Sequence, residues 1–302
     1  MPKTRCLLIS HNAGGAALLA AWAAHHAGEY EFTCLLSGPA VTIFCQRLPN
    51  AYLAAQNSVE LTRYNCVITS TSAAETGWET VWLARARVLG VKTISLLDHW
   101  TNYLSRFLWH NEYIFPDTLW VCDAYGLALT QLCRDEIKHY PAAQQIPNFY
   151  LIDQSEYIKN NRPKIDIEGH ILFVSEPSYN PLYTAESVLE EFLHFISAEN
   201  INCKIVRLRL HPREQPEDYR KVCVRWAEQL IIELSPNSRL EDDLCWASWV
   251  VGCQTMAMVV ALAAGIKVSS CLPACVEKSA LPHKEIPRLF NLETSVERPK
   301  AM

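Results

Sequence analysis

Short apolar runs alternate with longer, partly apolar stretches from one end of the chain to the other. Residues 6–10 (CLLIS) predict a strand, and the turn His11-Asn12-Ala13-Gly14-Gly15 follows it. An Ala/Leu-rich stretch to about His26 then predicts a helix. Further strands are predicted at 30–36, 66–70, 91–97 and 119–122, and helices at 77–89 and 124–139. Continuous apolar strands with helices between them indicate a parallel sheet covered on both faces. Residues 154–169 (QSEYIKNNRPKIDIEG) are the most polar stretch and suit a linker. The alternation then restarts, with strands at 171–174, 203–210, 230–234, 249–251 and 267–271. Helices are predicted at 185–199, 219–229, 238–247 and 255–264. The expected fold is α/β: two Rossmann-like domains, 1–153 and 154–302, facing one another across a cleft.

Composition narrows the class. The chain of 302 residues is 50% hydrophobic and 20% charged, which excludes intrinsic disorder. A formal net charge of -5 gives no global attraction to nucleic acid, so no nucleic-acid partner is expected. Twelve cysteines are scattered singly, mostly inside apolar runs, with no C-x-x-C. There is no N-x-S/T acceptor either, and reduced thiols in a cytoplasmic protein are expected. The apolar stretch 246–266 carries Gln254 and Thr255 at its middle and predicts a strand plus a buried helix, so no transmembrane segment is expected.

Ligands of such sheets bind outside the carboxyl ends of the strands, so the residues just after each strand carry the chemistry. After the first strand, Gly14 and Gly15 with His11 and Asn12 allow either a close approach of backbone N–H groups to a ligand or only a tight turn. After 91–97 come Asp98, His99, Trp100, Asn102, Tyr103 and Arg106. A carboxylate beside an imidazole is a proton-transfer pair, and an aspartate there can equally cap a helix. After 203–210 comes His211-Pro212-Arg213, where proline holds the imidazole at the strand tip. Arg207 and Arg209 alternate onto the same face as His211, which suggests an anion pocket. Gly252-Cys253-Gln254-Thr255 opens an apolar helix, as an anion site or as ordinary capping by Thr255. Ser175-Glu176-Pro177 adds polar groups that could meet a nucleoside. The aromatic-rich run Trp100, Tyr103, Phe107, Leu108 and Trp109 suits buried packing and leaves room for peripheral membrane contact.

These motifs resemble glycosyltransferases of the GT-B architecture. The likeness is strongest to the bacterial surface-polysaccharide group of sialyltransferases, Kdo transferases and polysialyltransferases. That group carries a His-Pro motif in its C-terminal half, matched by His211-Pro212, and a small-residue turn before the phosphate-binding helix, matched by 252–255. Asp98-His99-Trp100 with Glu75 and Glu79 also resembles bacterial surface-polysaccharide proteins. The sequence departs from the sialyltransferase pattern in one place: Asp242-Asp243 is followed by Leu244, where those enzymes place glycine after an acidic pair.

The resemblance implies an acceptor-side domain at 1–153 and a nucleotide-sugar-binding domain at 154–302. It implies a metal-independent transferase with no cofactor and no metal ligand. The enzyme would move a sugar, such as a Kdo-like or nonulosonic acid, from a nucleotide donor to a glycan, lipid-linked or protein acceptor. A CMP-sugar is preferred because the Arg207/Arg209/Arg213 cluster would hold an acidic sugar; a UDP-sugar is the alternative. Asp98, His211 and His11 are the catalytic candidates. Glu176, Arg209, Pro212, Arg213, Gly252, Gln254 and Thr255 are the donor-side candidates, and Asn12, Gly14, Gly15, His99 and Arg106 the acceptor-side ones. Three other classes stay open: a sugar-nucleotide 2-epimerase or hydrolase, a glycerophosphotransferase of the teichoic-acid type, and a non-catalytic nucleotide-sugar-binding protein.

Overall fold

The computed structural model describes residues 3–72, 77–177 and 181–290. The chain forms two compact units that divide between Tyr150 and Leu151. In the first unit, β1 (Thr4–Ser10), α1 (Ala13–His25), β2 (Tyr30–Leu36), α2 (Ala40–Arg47) and β3 (Tyr52–Leu53) come first. They are followed by β4 (Cys66–Thr69), α3 (Trp78–Val88), β5 (Lys92–Leu96), and a small hairpin of β6 (Leu108–Trp109) and β7 (Glu112–Tyr113). Strand β8 (Thr118–Val121), α4 (Ala124–Glu136) and β9 (Ala142–Gln145) complete the unit. Its seven-stranded sheet has the order β3-β2-β1-β4-β5-β8-β9, and all neighbours are parallel. The order reverses between β1 and β4, which makes their carboxyl ends the switch point where such sheets bind ligands.

Alternation along β1 shows why the sheet is covered on both sides. Cys6 and Leu8 pack with Leu19 and Trp22 of α1, whereas Leu7 and Ile9 pack with Trp82 and Ala86 of α3. Successive side chains point to opposite faces, so a strand apolar at every position must be sandwiched. The aromatic run after β5 also packs inward: Tyr103 and Phe107 are buried, and Trp100 Nε1 donates to Asp123 Oδ2 at 2.9 Å. That inward packing takes Tyr103 and Phe107 away from the membrane contact for which the run left room.

The helix α5 (Phe149–Asn161) runs across the division and over the first part of the stretch whose composition suggests a linker. Ser155 and Ile158 are buried on one side of it, and Glu156, Lys159, Asn160 and Asn161 are exposed. Polarity marks an exposed helix face as readily as a loop. The second unit continues with β10 (His170–Val174), α6 (Ala185–Ala198), β11 (Ile205–Arg209), α7 (Arg220–Trp226) and β12 (Ile232–Leu234). It ends with α8 (Leu240–Trp246), β13 (Trp249–Gly252), α9 (Met256–Ala263) and β14 (Lys267–Ser270). The parallel order is β12-β11-β10-β13-β14, so its switch point lies between β10 and β13. Ile171 and Phe173 of β10 and Val206 and Leu208 of β11 pack against Phe192 and Leu193 of α6. Among the described residues no helix is long and apolar enough to cross a membrane. The twelve cysteines are free thiols.

Candidate functional site

In the first unit the polar groups gather at the ends of β1, β4 and β5. Glu79, in the first turn of α3, is buried, and its Oε1 accepts from Ser72 Oγ at 2.8 Å, the His11 N–H at 3.0 Å and Ser70 Oγ at 3.1 Å. Burial pushes its carboxyl above the ordinary range, against the pull of those donors. Asp98 Oδ1 accepts from Arg106 Nη1 at 2.6 Å and from Thr71 Oγ1 at 3.2 Å. Arg106 also donates to Thr71 Oγ1 and to the Thr101 carbonyl, so one guanidinium fixes the whole loop after β5.

The two glycines of the β1–α1 turn have a definite use. A Cβ on Gly14 would lie 2.7 Å from Asp98 Oδ2, and one on Gly15 would lie 2.6 Å from the Ser70 Cβ. They let the start of α1 close against the protein's own groups. Asn12 stands at the N-cap of α1 with no side-chain cap bond. The His11 ring lies against Gly38, and its Nδ1 is buried with no hydrogen-bond partner. His99 Nδ1 lies 3.2 Å from Thr101 Oγ1. Burial holds the His99 imidazole below its usual pKa, with Asp98 opposing and Arg106 assisting that shift, so it favours the neutral base. Asp98, His99, Arg106, Gly14 and the His11 loop therefore share one set of strand ends. Glu75 lies outside the described residues.

In the second unit the strand ends are tied together by carboxylates. The His211 N–H donates to Glu214 Oε2 at 2.8 Å. Glu214 Oε1 accepts from Tyr219 OH at 2.6 Å and Ser175 Oγ at 2.9 Å, which joins the β11 turn to the end of β10. Glu176 Oε1 accepts from the Gln254 N–H at 3.1 Å, which joins β10 to the loop after β13. His211 and that loop flank β10 on either side, two strand spacings or about 10 Å apart. The Arg213 N–H points at His211 Nδ1 at 3.2 Å. A backbone N–H only donates, so Nδ1 is the acceptor and the neutral ring carries its proton on Nε2.

The remaining donor-side candidates divide. Thr255 Oγ1 caps its own helix by accepting from the Ala257 N–H, and Gln254 Oε1 accepts from the Ala280 N–H. A Cβ on Gly252 would sit 2.9 Å from the Val174 carbonyl, so glycine lets β13 pass close to β10. Pro212 lies in a turn closed by the Glu214 N–H on the His211 carbonyl, and Arg213 is exposed.

Arg209 departs from expectation. It does share a face with Arg207, but that face is occupied by α8. Arg209 Nη1 pairs with Asp243 Oδ2 at 2.7 Å, and its guanidinium also donates to the carbonyls of Asn237, Ser238 and Arg239. Arg207 pairs with Glu233 and Asp243 and lies over the Trp246 ring at 3.7 Å. The fully buried Asp243 is further satisfied by Ser235 and Asn237. These cations hold α8 against the sheet, and the ground they gave for an acidic, CMP-linked sugar goes with them.

Glu214 and Tyr219 carry much of the organisation and were not singled out by motif, and Glu79 and Asp243 entered only through a resemblance, with no role given to either. Glu214 and Tyr219 follow His211 at i+3 and i+8, a spacing that gives no signal until the turn is folded. No family model matches the chain, and no curated protein sequence matches it. Solved structures do resemble it. UDP-GlcNAc 2-epimerase from Methanocaldococcus jannaschii superposes with a TM-score of 0.62 at 13% identity, covering 88% of this chain and 83% of that one. The S. aureus MnaA–UDP co-structure gives 0.63 at 11% identity, covering 88% and 78%. Acinetobacter baumannii MurG gives 0.53 at 11% identity, covering 89% and 78%. At such identities the likeness is one of fold, and the chain has the GT-B-type α/β fold of two Rossmann-like units.

Proposed function

We propose that the chain is a nucleotide-sugar enzyme, a glycosyltransferase that takes a UDP-sugar as donor. The observation that carries this reading is the linkage of three strand ends in the second unit: His211 to Glu214 to Ser175, then Glu176 to the Gln254 amide. In this reading the His211 imidazole N–H and the amides ahead of α9 receive a diphosphate at the switch point beside β10. UDP is chosen over CMP because structures similar in fold carry UDP and two of the three arginines that favoured an acidic sugar, Arg207 and Arg209, are paired with Asp243. The narrower kinship with sialyltransferases and Kdo transferases rests on His211-Pro212 and residues 252–255 alone.

In this reading the bond from the sugar to the diphosphate breaks with its electron pair going to phosphate oxygen. His211 Nε2–H and the α9 amides stabilise that growing charge. A base must accept the acceptor hydroxyl proton as the new bond forms. Asp98 is the candidate for this role, through Oδ2, because Arg106 and Thr71 occupy Oδ1. His99 and His11 lie among the same strand ends. Free thiols throughout the chain support a reducing compartment, the cytoplasm.

A second reading, a UDP-sugar 2-epimerase, has its own support. Inverting C2 needs groups that remove and return a proton, and Asp98, His99 and His11 share one set of strand ends; the epimerase structures are also among the similar folds. Incubating the full chain with UDP-GlcNAc, with and without a mixture of glycan acceptors, separates the two by proton NMR. Acceptor-dependent UDP release with C2 unchanged is expected. Inversion at C2 without acceptor would assign the epimerase instead. Replacing His211 by alanine is expected to lower turnover about 100-fold.

A further inference from the structure

Two carboxyl groups meet where the reading above places the donor diphosphate. Glu176 Oε1 is seated on the Gln254 N–H, the amide just ahead of the Thr255 cap of α9. Glu214 stands beside it, holding His211 with one oxygen and Ser175 and Tyr219 with the other. The β11 arginines that would balance these charges are committed to Asp243 and Glu233. Cys271, buried at the end of β14, is a further neighbour of Glu176, and burial keeps it an uncharged thiol. On the β11 turn, His211 and the exposed Arg213 are the basic groups. An anion arriving at the Gln254 amide thus meets one carboxylate already on it and a second alongside, and like charges in a partly buried site repel strongly.

We propose that Glu176 gates the donor site by protonation: a nucleotide diphosphate takes the Gln254 amide as Glu176 takes up one proton from solvent and releases that amide. This rests on the donor-site reading above. The protonated carboxyl then offers an O–H to the diphosphate in place of a charge against it. The direction agrees with the pKa of Glu176, pushed up to about 7 chiefly by burial, with the Gln254 amide pulling it down and the Glu214 charge adding to the rise. Below that value the gate is already protonated and binding carries no proton. Above it each ligand brings one proton, and affinity falls about tenfold per pH unit.

Titration calorimetry of the full chain with UDP-GlcNAc and UDP-glucose between pH 6 and 8 tests this. A sugar-linked diphosphate lacks the terminal phosphate ionisation near pH 6, so the ligand's phosphates do not mimic the effect. Buffers of different ionisation enthalpy count the protons directly. Uptake approaching one proton at pH 8 is expected, with about fivefold weaker binding than at pH 7. In Glu176→Gln the uptake falls away and the dissociation constant at pH 8 becomes about tenfold tighter than in the parent. Any contribution of His211 persists in both proteins and cancels in the comparison. Binding without proton uptake, or an unchanged slope in Glu176→Gln, overturns the gate and leaves the donor site standing. No binding of either sugar nucleotide at pH 6 overturns both. The proton count on the parent chain holds whether or not the variant folds.

Discussion

Asp243 shows how far a single residue departs from its sequence context. In the chain it is one half of an acidic pair followed by leucine. In the fold it is fully buried and anchors Arg207, Arg209, Ser235 and Asn237. Removing one partner of a buried ion pair leaves the others uncompensated. Asp243→Ala is therefore expected to lower stability by about 3–5 kcal/mol in chemical denaturation. Asp243→Asn, which keeps an acceptor for Ser235 and Asn237, should lose less; equal losses would show that the ion pairs carry little. Arg209 was legible as a residue on the Arg207 face, because strand alternation is local. Its partner was not, because it lies 34 residues away and only folding brings α8 beneath β11.

At the scale of elements, Glu79 joins α3 to β1 and β4 through one oxygen shared by the His11 amide and two serine hydroxyls. Its pKa is raised in the folded chain, so the protonated form is the one the fold prefers. Stability from this group is present at low pH and is lost as pH rises above the ordinary carboxylate range. Glu79→Gln keeps a carbonyl acceptor and removes the ionisation. The melting temperature of the variant relative to the parent should therefore climb between pH 5 and pH 8. A difference that stays flat with pH contradicts the assignment. Glu79→Ala strands three donors and should cost about 3 kcal/mol or more at any pH. The glycines after β1 were visible in the sequence as a turn with two uses. The fold assigns them to packing, because Asp98 and Ser70 fill the space a Cβ would need. The helix α5 was hidden for the opposite reason: its exposed face has a linker's composition, and its buried Ser155 and Ile158 are too few to announce a helix.

For the whole molecule, alternation of apolar strand and helix carried the two parallel sheets, since strands buried on both faces need no long-range information to be recognised. Short edge strands such as β3 and β9 escaped, because two to four residues are too few to show a period. The same alternation placed the strand ends, and so the candidate residues, while the carboxylates that tie those ends together became visible only through their partners. In the proposed function the second unit grips a nucleoside diphosphate with His211 Nε2–H and the amides before α9. Titration calorimetry of UDP against the parent chain and His211→Ala at pH 6.5 tests it most directly. UDP is expected to bind the parent and to bind His211→Ala at least tenfold more weakly. Absence of binding, or equal affinity for the two proteins, would contradict it.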